Sequence, residues 1–313
     1  MIIVTGGAGF IGSNLIKKLN EQGEDQIIVV DNIARTNKYL NLNKLRFLDY
    51  YAKEDFLENF SHFKEVKTIF HEGACSVTTE TDGNYMLRNN YEFSKDLLKI
   101  ALHSNINFIY ASSASVYGDG RNGFKEDRNC EYPLNVYAFS KFLFDNYVRN
   151  ILQKEKKLPI QITGLRYFNV FGYQENHKQT MASVIYHFFQ QFKNNEPLRL
   201  FEGSETFLRD FIFIEDVISV NMFFYQKKIN GIYNCGTGKS RSFYDIAKIF
   251  KNNLPETKIE FIPFPNNLMG KYQTFTEADL TNLKKAGYQA EFCTLEQGVT
   301  KYLQRLKESN GFL

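Results

Sequence analysis

The chain has 313 residues, 43% of them hydrophobic, and a formal net charge of +3. This length suffices for one large α/β domain or for two unequal lobes. The small charge gives no reason to expect nucleic-acid binding, and no apolar stretch is long enough to span a membrane. The cysteines are spaced neither as a disulfide framework nor as a metal site, and no secretory leader precedes the first strand, so we expect a cytoplasmic protein without a metal.

The first dozen residues predict a strand, a glycine-rich turn and a helix in direct succession, in the sequence MIIVTGGAGFIG. The β-branched run 2–4 is typical of a strand buried in a parallel sheet, and residues 13–19 have helical spacing. Gly6 would allow the tight turn, Gly9 the approach of a pyrophosphate, and Gly12 close packing of the helix on the strand. The stretch therefore predicts a binding site for a dinucleotide.

A second apolar strand, 27–30, ends in Asp31, where an acidic residue would meet the adenosine ribose of a bound dinucleotide. Farther along, predicted strands and helices alternate. We predict strands at 45–48, 68–70 and 107–111 and helices at 55–60 and 82–103. This alternation predicts a Rossmann-type doubly wound parallel sheet, in which ligands bind outside the carboxyl ends of the strands.

The C-terminal part predicts a smaller, mixed α/β domain that binds the substrate. We predict helices at 183–192 and 294–307, a strand at 199–202 and a helix that begins near Glu215. We expect residues 1–168 to form the dinucleotide-binding domain and residues 169–313 mainly the substrate-binding domain, with segments at about 209–240 returning to the first.

Candidate catalytic residues follow the strand predicted at 107–111. Ser113 lies in the serine run after this strand, and Tyr137 and Lys141 are four residues apart, so they share one face of a helix. A phenol has a pKa of about 10 and is a poor base at neutral pH, but a nearby ammonium group is expected to lower that pKa. We therefore predict that Tyr137 takes a proton from a substrate oxygen that Ser113 holds, with Lys141 assisting.

Several motifs resemble those of the extended short-chain dehydrogenase/reductase superfamily. They are TGGAGFIG at 5–12, SSASVYG at 112–118, YAFSK at 137–141, RYFNVFG at 166–172 and RDFIFIEDV at 209–217. Within that superfamily the chain resembles the ADP-L-glycero-D-manno-heptose 6-epimerases nearly from end to end. The motifs that carry this closer resemblance are HEGACS at 71–76 with TTE at 78–80, PLNVYAFSKFLFDNYVR from Pro133, HKQTMASV from His177, LFEGSE from Leu200 and FTEADLTNLKKAGY from Phe275.

The resemblance implies a full set of site residues. Beside the three glycines, those implied for binding NADP are Phe10, Ile11, Asp31, Asn32, Lys38, Lys53, Glu72, Gly73, Ala74, Cys75, Ser76, Asn89, Lys141, Val170 and Lys178. Those implied for binding ADP-heptose are Asn169, Thr180, His187, Phe201, Glu202, Gly203, Ser204, Arg209 and Tyr272. Thr180 stands where we would expect a serine, but it keeps the hydroxyl group. The resemblance also implies Tyr137 and Lys178 as the two acid/base residues, and a homo-oligomer, typically a homopentamer.

The activity implied by the resemblance is inversion at C6 of ADP-D-glycero-D-manno-heptose, which supplies heptose for the lipopolysaccharide core. Carbon 6 has no neighbouring carbonyl group, so its C–H is too weak an acid for direct deprotonation. Oxidation to a ketone, rotation about the C5–C6 bond and return of the hydride would invert the centre. Because the oxygen points in different directions in the two orientations, we hypothesise that Tyr137 serves one epimer and Lys178 the other.

Three alternatives stand beside this interpretation. A UDP-hexose 4-epimerase uses the same oxidation and return, and the segments from His177 and Leu200 argue against it. A sugar 4,6-dehydratase normally has an Asp-Glu pair where this chain has Ala114 and Ser115. A non-catalytic NADP-binding protein on this fold usually lacks the tyrosine and the lysine, and both are present here.

The charged residues of the predicted site do not all favour the same cofactor, NAD or NADP. Asp31 alone favours NAD, because a carboxylate binds the ribose 2′-hydroxyl and repels a 2′-phosphate. Lys38 and Lys53 favour NADP if they converge on that position. Together with the resemblance, they lead us to expect NADP, with NAD as the second choice.

Overall fold

A computed structural model describes residues 1–34, 36–155, 157–265 and 273–313. Tyr272, one of the predicted substrate residues, lies outside the described residues. The strands are β1 Ile2–Thr5, β2 Ile27–Asp31, β3 Asp49–Ala52, β4 Thr68–His71, β5 Asn107–Ser113, β6 Ile162–Tyr167, β7 Asn169–Phe171, β8 Leu198–Phe201, β9 Leu208–Phe213, β10 Gly231–Cys235, β11 Ser240–Ser242 and β12 Ile259–Ile262.

Helices connect and flank these strands. They are α1 Phe10–Glu21, α2 Lys53–Phe56, α3 Gly83–Leu87, α4 Phe93–His103, α5 Val136–Lys154, α6 Val184–Lys193, α7 Ile214–Lys227, α8 Phe243–Asn253, α9 Thr281–Lys285 and α10 Leu295–Ser309. Helical turns of other kinds include a π-helical turn at Arg88–Glu92 and 3₁₀ turns at Lys38–Leu42, Ala114–Tyr117 and Asn176–Met181.

Seven of the described strands form one parallel sheet in the order β10-β6-β5-β4-β1-β2-β3. The strand order reverses between β1 and β4, which is where a doubly wound sheet opens a crevice for a ligand. The Rossmann-type sheet that the sequence predicted is therefore confirmed. In the C-terminal half, β7, β9 and β11 form a second sheet, and β8 pairs with β12.

The central sheet has an apolar core on each face, because successive side chains of a strand point in opposite directions. Ile2 and Val4 of β1 lie in the core shared with α1 and α7, whereas Ile3 lies in the core shared with α4 and α5. All four residues of β1 are buried. This is why the strand could be recognised from an uninterrupted β-branched run.

The edge of the sheet was predicted wrongly. The strand is β3, at Asp49–Ala52, and not at residues 45–48. As the outermost strand it has one neighbour and stays partly exposed, so its sequence DYYA lacks an apolar run. Leu45 and Phe47, which suggested the strand, instead pack from a loop against the core.

Two predicted helices are broken into pieces. The helix expected over 55–60 is α2 followed by a 3₁₀ turn at Phe60–His62. The crossover helix expected over 82–103 contains the π-helical turn Arg88–Glu92 between α3 and α4. Within the described residues, we find no helix with the length and apolar character needed to cross a membrane.

Candidate active site

A cavity of about 770 Å³ lies at the carboxyl ends of the central strands. Its lining includes every predicted cofactor residue and all four predicted catalytic residues, together with Thr180 of the predicted substrate residues. The structure thus brings together segments that lie far apart in the sequence, from Thr5 to Met181.

The glycine turn forms one wall of this cavity. Gly6 has a φ of +68°, and a Cβ on it would lie 2.6 Å from the Cα of Gly73. A Cβ on Gly12 would overlap the carbonyl oxygen of Gly6, so the helix packs closely against the glycine turn. Helix α1 begins after Gly9, with its first backbone N–H groups directed out of the helix and no acidic side chain in its first turn. This end of the helix is suited to an anion.

Asp31 lies at the end of β2, and both of its carboxylate oxygens accept hydrogen bonds. One carboxylate oxygen accepts from the backbone N–H of Ala8 at 2.9 Å, and the other accepts from the ammonium group of Lys38, also at 2.9 Å. The Asp31 side chain is buried, whereas Lys38 is partly exposed at the rim. The ammonium group compensates the carboxylate at the position where a ribose would bind.

Lys53 does not converge on Asp31. Its ammonium group donates to the side-chain oxygen of Asn89 at 2.6 Å and lies 4.7 Å from the ring centroid of Phe93. Burial lowers its pKa, and Glu54 and Cys75 oppose this shift. Of the two lysines expected at the ribose, Lys38 alone is paired with the carboxylate.

The loop 72–76 is held in place by Asn90, a buried residue of the π-helical turn. Its side-chain oxygen accepts from the backbone N–H of Cys75 at 2.8 Å, and its amide donates to the Cys75 carbonyl at 2.9 Å. The same amide also donates to the hydroxyl of Ser140 on α5, at 3.1 Å. Asn90 thereby joins the loop to the helix that carries Tyr137 and Lys141.

Tyr137 and Lys141 lie one turn apart on α5, and Ser113 faces the phenol from the end of β5. Lys141 donates to the carbonyl of Ala111 at 2.8 Å. Burial lowers the pKa of Lys141 to about 8, opposed by the charges of Glu72 and Asp145. The pKa of Tyr137 is raised by burial, although its hydrogen bond with Ser113 lowers it. The expected lowering by Lys141 is therefore absent: desolvation dominates the pKa of Tyr137, and the Lys141 ammonium group donates to the carbonyl of Ala111.

The buried carboxylate of Asp145 holds the helix of Tyr137 and Lys141 against the central sheet. It lies one further turn along α5, fully buried, and its carboxylate accepts from the hydroxyls of Tyr110 and Ser112 at 2.8 and 2.9 Å. It also accepts from the guanidinium group of Arg166 at 2.9 Å. These bonds connect α5 to β5 and β6 directly beneath the catalytic side chains.

Glu72 brings a titratable carboxyl group to the cavity. Its Oε1 accepts from the hydroxyl of Tyr167 at 3.0 Å, and its buried Oε2 has no hydrogen-bond partner among the described residues. Burial raises the pKa of Glu72 to about 7, although Tyr167 and Lys141 both lower it. The unpartnered oxygen is available to a ligand.

Lys178 also lines the cavity, on the 3₁₀ segment Asn176–Met181. Its ammonium group lies 5.1 Å from the ring centroid of Phe10, next to the glycine turn. The neighbouring His177 lies 3.3 Å from the side-chain nitrogen of Asn41, and burial lowers the pKa of His177 to about 4. The two predicted acid/base residues, Tyr137 and Lys178, thus come from different elements to one cavity.

Most predicted substrate residues lie outside this cavity. Arg209 is buried on β9, where it donates to the carbonyls of Leu208 and Gln273 and lies 5.7 Å from the ring of Phe243. Asn169 lies in the same three-stranded sheet, paired with Phe211. The other residues in this group are on or after neighbouring elements: His187 on α6, Phe201 at the end of β8, and Glu202, Gly203 and Ser204 in the turn that follows.

Sequence reasoning missed several residues that line the cavity. They are Thr5, Val30, Ala34, Thr36, Val77, Tyr85, Phe93, Ala111, Ser112, Tyr167, Phe168, His177, Gln179 and Met181. Many are chain neighbours of predicted residues, so the rule that ligands bind at strand ends would have found them. Tyr85 and Phe93 belong to the broken crossover helix, and no motif marks them.

The residues present fit a nicotinamide dinucleotide. The glycine turn leaves a cradle that side chains would fill, the N-terminus of α1 is suited to a pyrophosphate, and Asp31 with Lys38 lies where the adenosine ribose is expected. Within the part of the chain that the structure describes, no cluster of His, Cys, Asp and Glu could hold a metal ion.

The chain is similar to known proteins in both sequence and structure. The model of the NAD dependent epimerase/dehydratase family matches residues 2–236. An ADP-L-glycero-D-manno-heptose-6-epimerase of Brachyspira hyodysenteriae is 56% identical over 318 residues, which cover all of both chains. The crystal structure of the Helicobacter pylori ADP-L-glycero-D-manno-heptose-6-epimerase superposes with a TM-score of 0.86 at 31% identity, over 98% of this chain and 96% of that one.

A crystal structure of UDP-glucose 4-epimerase from Thermotoga maritima, with UDP-glucose, superposes with a TM-score of 0.84 at 25% identity, over 99% of both chains. Sheet topology, cavity and relatives therefore agree with the resemblance predicted from the sequence. The chain belongs to the ADP-L-glycero-D-manno-heptose-6-epimerases, within the NAD dependent epimerase/dehydratase family of the extended short-chain dehydrogenases/reductases.

Proposed function

We propose that this chain inverts C6 of ADP-D-glycero-D-manno-heptose to give ADP-L-glycero-D-manno-heptose, through a transient 6-keto sugar and with NADP as cofactor. The observation that supports this most directly is that Tyr137 and Lys178, from different elements, line one cavity. Two proton-transferring groups from different elements suit a substrate carbon that presents its oxygen in two directions. The full-length identity to a heptose epimerase supports the choice of sugar.

The cofactor supplies reversible hydride transfer, which C6 needs because its C–H is too weakly acidic to lose a proton. The protein must then remove the hydroxyl proton as the ketone forms and return it after the sugar has turned. Tyr137 is the first candidate for this, with Ser113 holding the same oxygen. The Lys141 ammonium group lies on the same face of α5 and is proposed to assist by favouring the phenolate.

Lys178 is proposed as the second acid/base group. Burial lowers its pKa, which increases the fraction of neutral amine that can accept a proton at a given pH. Its position beside Phe10 keeps it near the glycine turn. Lys178→Met should therefore abolish proton transfer from the hydroxyl group of one epimer, while Tyr137 still takes the proton from the other. Full turnover by Lys178→Met in both directions would remove Lys178 from the mechanism.

NADP is proposed in preference to NAD because Lys38 neutralises Asp31. A free carboxylate would repel a 2′-phosphate, whereas the Asp31 and Lys38 pair presents an ammonium group at the rim of the cavity. The family model, whose description names NAD, supports a nicotinamide dinucleotide as cofactor.

The C-terminal residues 169–313 are proposed as the main substrate-binding domain. In this proposal Asn169, Thr180, His187, residues 201–204, Arg209 and Tyr272 hold the ADP-heptose, with Arg209 directed at the diphosphate. By resemblance we also propose a cytoplasmic homo-oligomer, with five subunits, that supplies heptose for lipopolysaccharide.

Proton NMR of the purified protein with ADP-D-glycero-D-manno-heptose tests the proposal. Inversion at C6, with no NADPH accumulating at 340 nm, is the expected result, and added NADP should not be consumed. A protein that leaves this sugar unchanged with NADP and with NAD, but interconverts UDP-glucose and UDP-galactose, would contradict the proposal and indicate a 4-epimerase.

A further inference from the structure

Glu175 is a fully buried carboxylate that lies just before the segment carrying Lys178 and Thr180. The predicted site did not include it. Buried carboxylates need partners, and those of Glu175 lie at both ends of this segment. Its two oxygens accept from the backbone N–H and the hydroxyl of Ser183, each at 2.6 Å. The backbone N–H of Gly172, at the end of β7, lies 3.4 Å from Oε1.

These contacts close residues 175–183 into a loop. Ser183 caps the N-terminus of α6, where its hydroxyl oxygen accepts from the backbone N–H of Tyr186. The carbonyl of Glu175 accepts from the backbone N–H of Lys178 at 2.9 Å, so the first turn of the segment is fixed as well. Between these anchors the chain passes through Gln179, whose φ of 50° and ψ of −123° are unusual for a residue with a side chain. Such a backbone persists only where the surroundings hold it.

The same carboxylate is the negative charge that acts on Lys178. Burial lowers the pKa of Lys178 and the charge of Glu175 raises it. The other titratable groups at this edge are His177, whose lowered pKa keeps it neutral near pH 7, and Lys38, which is paired with Asp31. Tyr186 and Tyr302 face Glu175 from α6 and α10, and burial raises the pKa of both phenols, so they stay neutral.

We propose that Glu175 is a positioning residue: it fixes residues 176–181 against the cavity and provides the counter-charge for Lys178. This inference rests on the role proposed above for Lys178 as an acid/base group. Glu175 itself has no place in the lining of the cavity, so it acts through the segment that it anchors.

The test measures Lys178 directly. The full-length protein with NADP is acylated with acetic anhydride over a range of pH, and the modification of Lys178 is followed by peptide mass spectrometry. In Glu175→Gln the midpoint of this profile should move to lower pH, because the neutral amine is favoured when the carboxylate is removed. Turnover should fall tenfold or more. Glu256→Gln, an exposed residue, is the matched control and should change neither quantity.

Ser183→Ala separates anchoring from charge, and serves if Glu175→Gln does not fold. It removes the hydroxyl's hydrogen bonds with Glu175 and with the backbone N–H of Tyr186, and it keeps the carboxylate. The midpoint should therefore stay while the limiting rate of Lys178 acylation rises at least threefold. An unchanged midpoint in folded Glu175→Gln, or an unchanged limiting rate in Ser183→Ala, would overturn the proposal. Because the labelling needs no substrate, a parent protein that fails to epimerise the sugar would contradict the proposed function alone.

Discussion

Among the single residues, Lys38 determines by its pairing with Asp31 whether the ribose end of the cavity attracts or repels a 2′-phosphate. Lys38→Ala leaves a buried carboxylate without its cation, so binding of a 2′-phosphate should become unfavourable. We expect the Kd for NADP to rise by roughly 10- to 100-fold, the range of a lost charge-assisted hydrogen bond, with little change for NAD.

Calorimetric titration of the nucleotide-free protein with each dinucleotide measures this difference. Lys44→Ala, at an exposed position beyond the same 3₁₀ turn, is the control. An equal loss of affinity for NAD and NADP would show that Lys38 does not discriminate between them.

Gln179 is a residue whose backbone conformation costs free energy. Strain of this kind costs about 1–3 kcal/mol, and glycine adopts such angles without it. After the entropy that glycine loses on folding is subtracted, Gln179→Gly should raise the free energy of unfolding by about 1 kcal/mol. Thermal unfolding measures this. Asn195→Gly is the control and should be nearly neutral, since asparagine tolerates its φ of 59°; a destabilised Gln179→Gly would contradict the argument.

At the scale of secondary structure, the π-helical turn Arg88–Glu92 rotates Asn90 towards the loop 72–76. Such turns are rare in helices and occur often at functional sites. Asn90→Leu would leave the backbone N–H and carbonyl of Cys75 without these partners. We expect a loss of about 2–3 kcal/mol in stability and a weaker affinity for the dinucleotide.

Denaturant unfolding and nucleotide titration of Asn90→Leu check both expectations. Asn84→Leu, an exposed residue of the same helical stretch, controls for the change of side chain. Wild-type nucleotide affinity in a folded Asn90→Leu protein would show that the loop keeps its shape without this residue.

Element prediction from the sequence worked where burial leaves a clear pattern. The strands β1, β2 and β5 are apolar because they are covered on both faces. The turn needs glycine because a Cβ at Gly6 or Gly12 would overlap nearby backbone atoms. The edge strand β3 and the break in the crossover helix were missed, because partial exposure and a single π-helical turn leave no periodic signal.

At the scale of the whole molecule, the site is divided between two sets of elements. The residues predicted for the cofactor and for catalysis line one cavity of the central sheet, and their motifs are short and continuous in sequence. Apart from Thr180, which lines the cavity, the described residues predicted for the substrate are spread over β7, α6, β8 with the turn after it, and β9. Only the resemblance to a family could identify them from the sequence, and their role remains a proposal.

This division predicts that substitutions can weaken the binding of one ligand without changing the binding of the other. Arg209→Ala should raise KM for ADP-heptose about 10- to 100-fold, the range of a lost charge-assisted hydrogen bond, without changing NADP affinity. Steady-state kinetics and nucleotide titration measure the two effects. Arg199→Ala, at an exposed position on β8, is the control. A loss of NADP affinity in Arg209→Ala would show that the two parts of the site are not independent.

In the proposed reaction, C6 is inverted by removal and return of one hydride, and the protein moves only the hydroxyl proton. ADP-heptose deuterated at C6, converted in ordinary water and followed by mass spectrometry and NMR, tests this hydride transfer. We expect the inverted product to keep its deuterium at C6 through many turnovers. Replacement of that deuterium by solvent hydrogen would mean that C6 loses a proton to the protein, and would rule out the proposed hydride transfer.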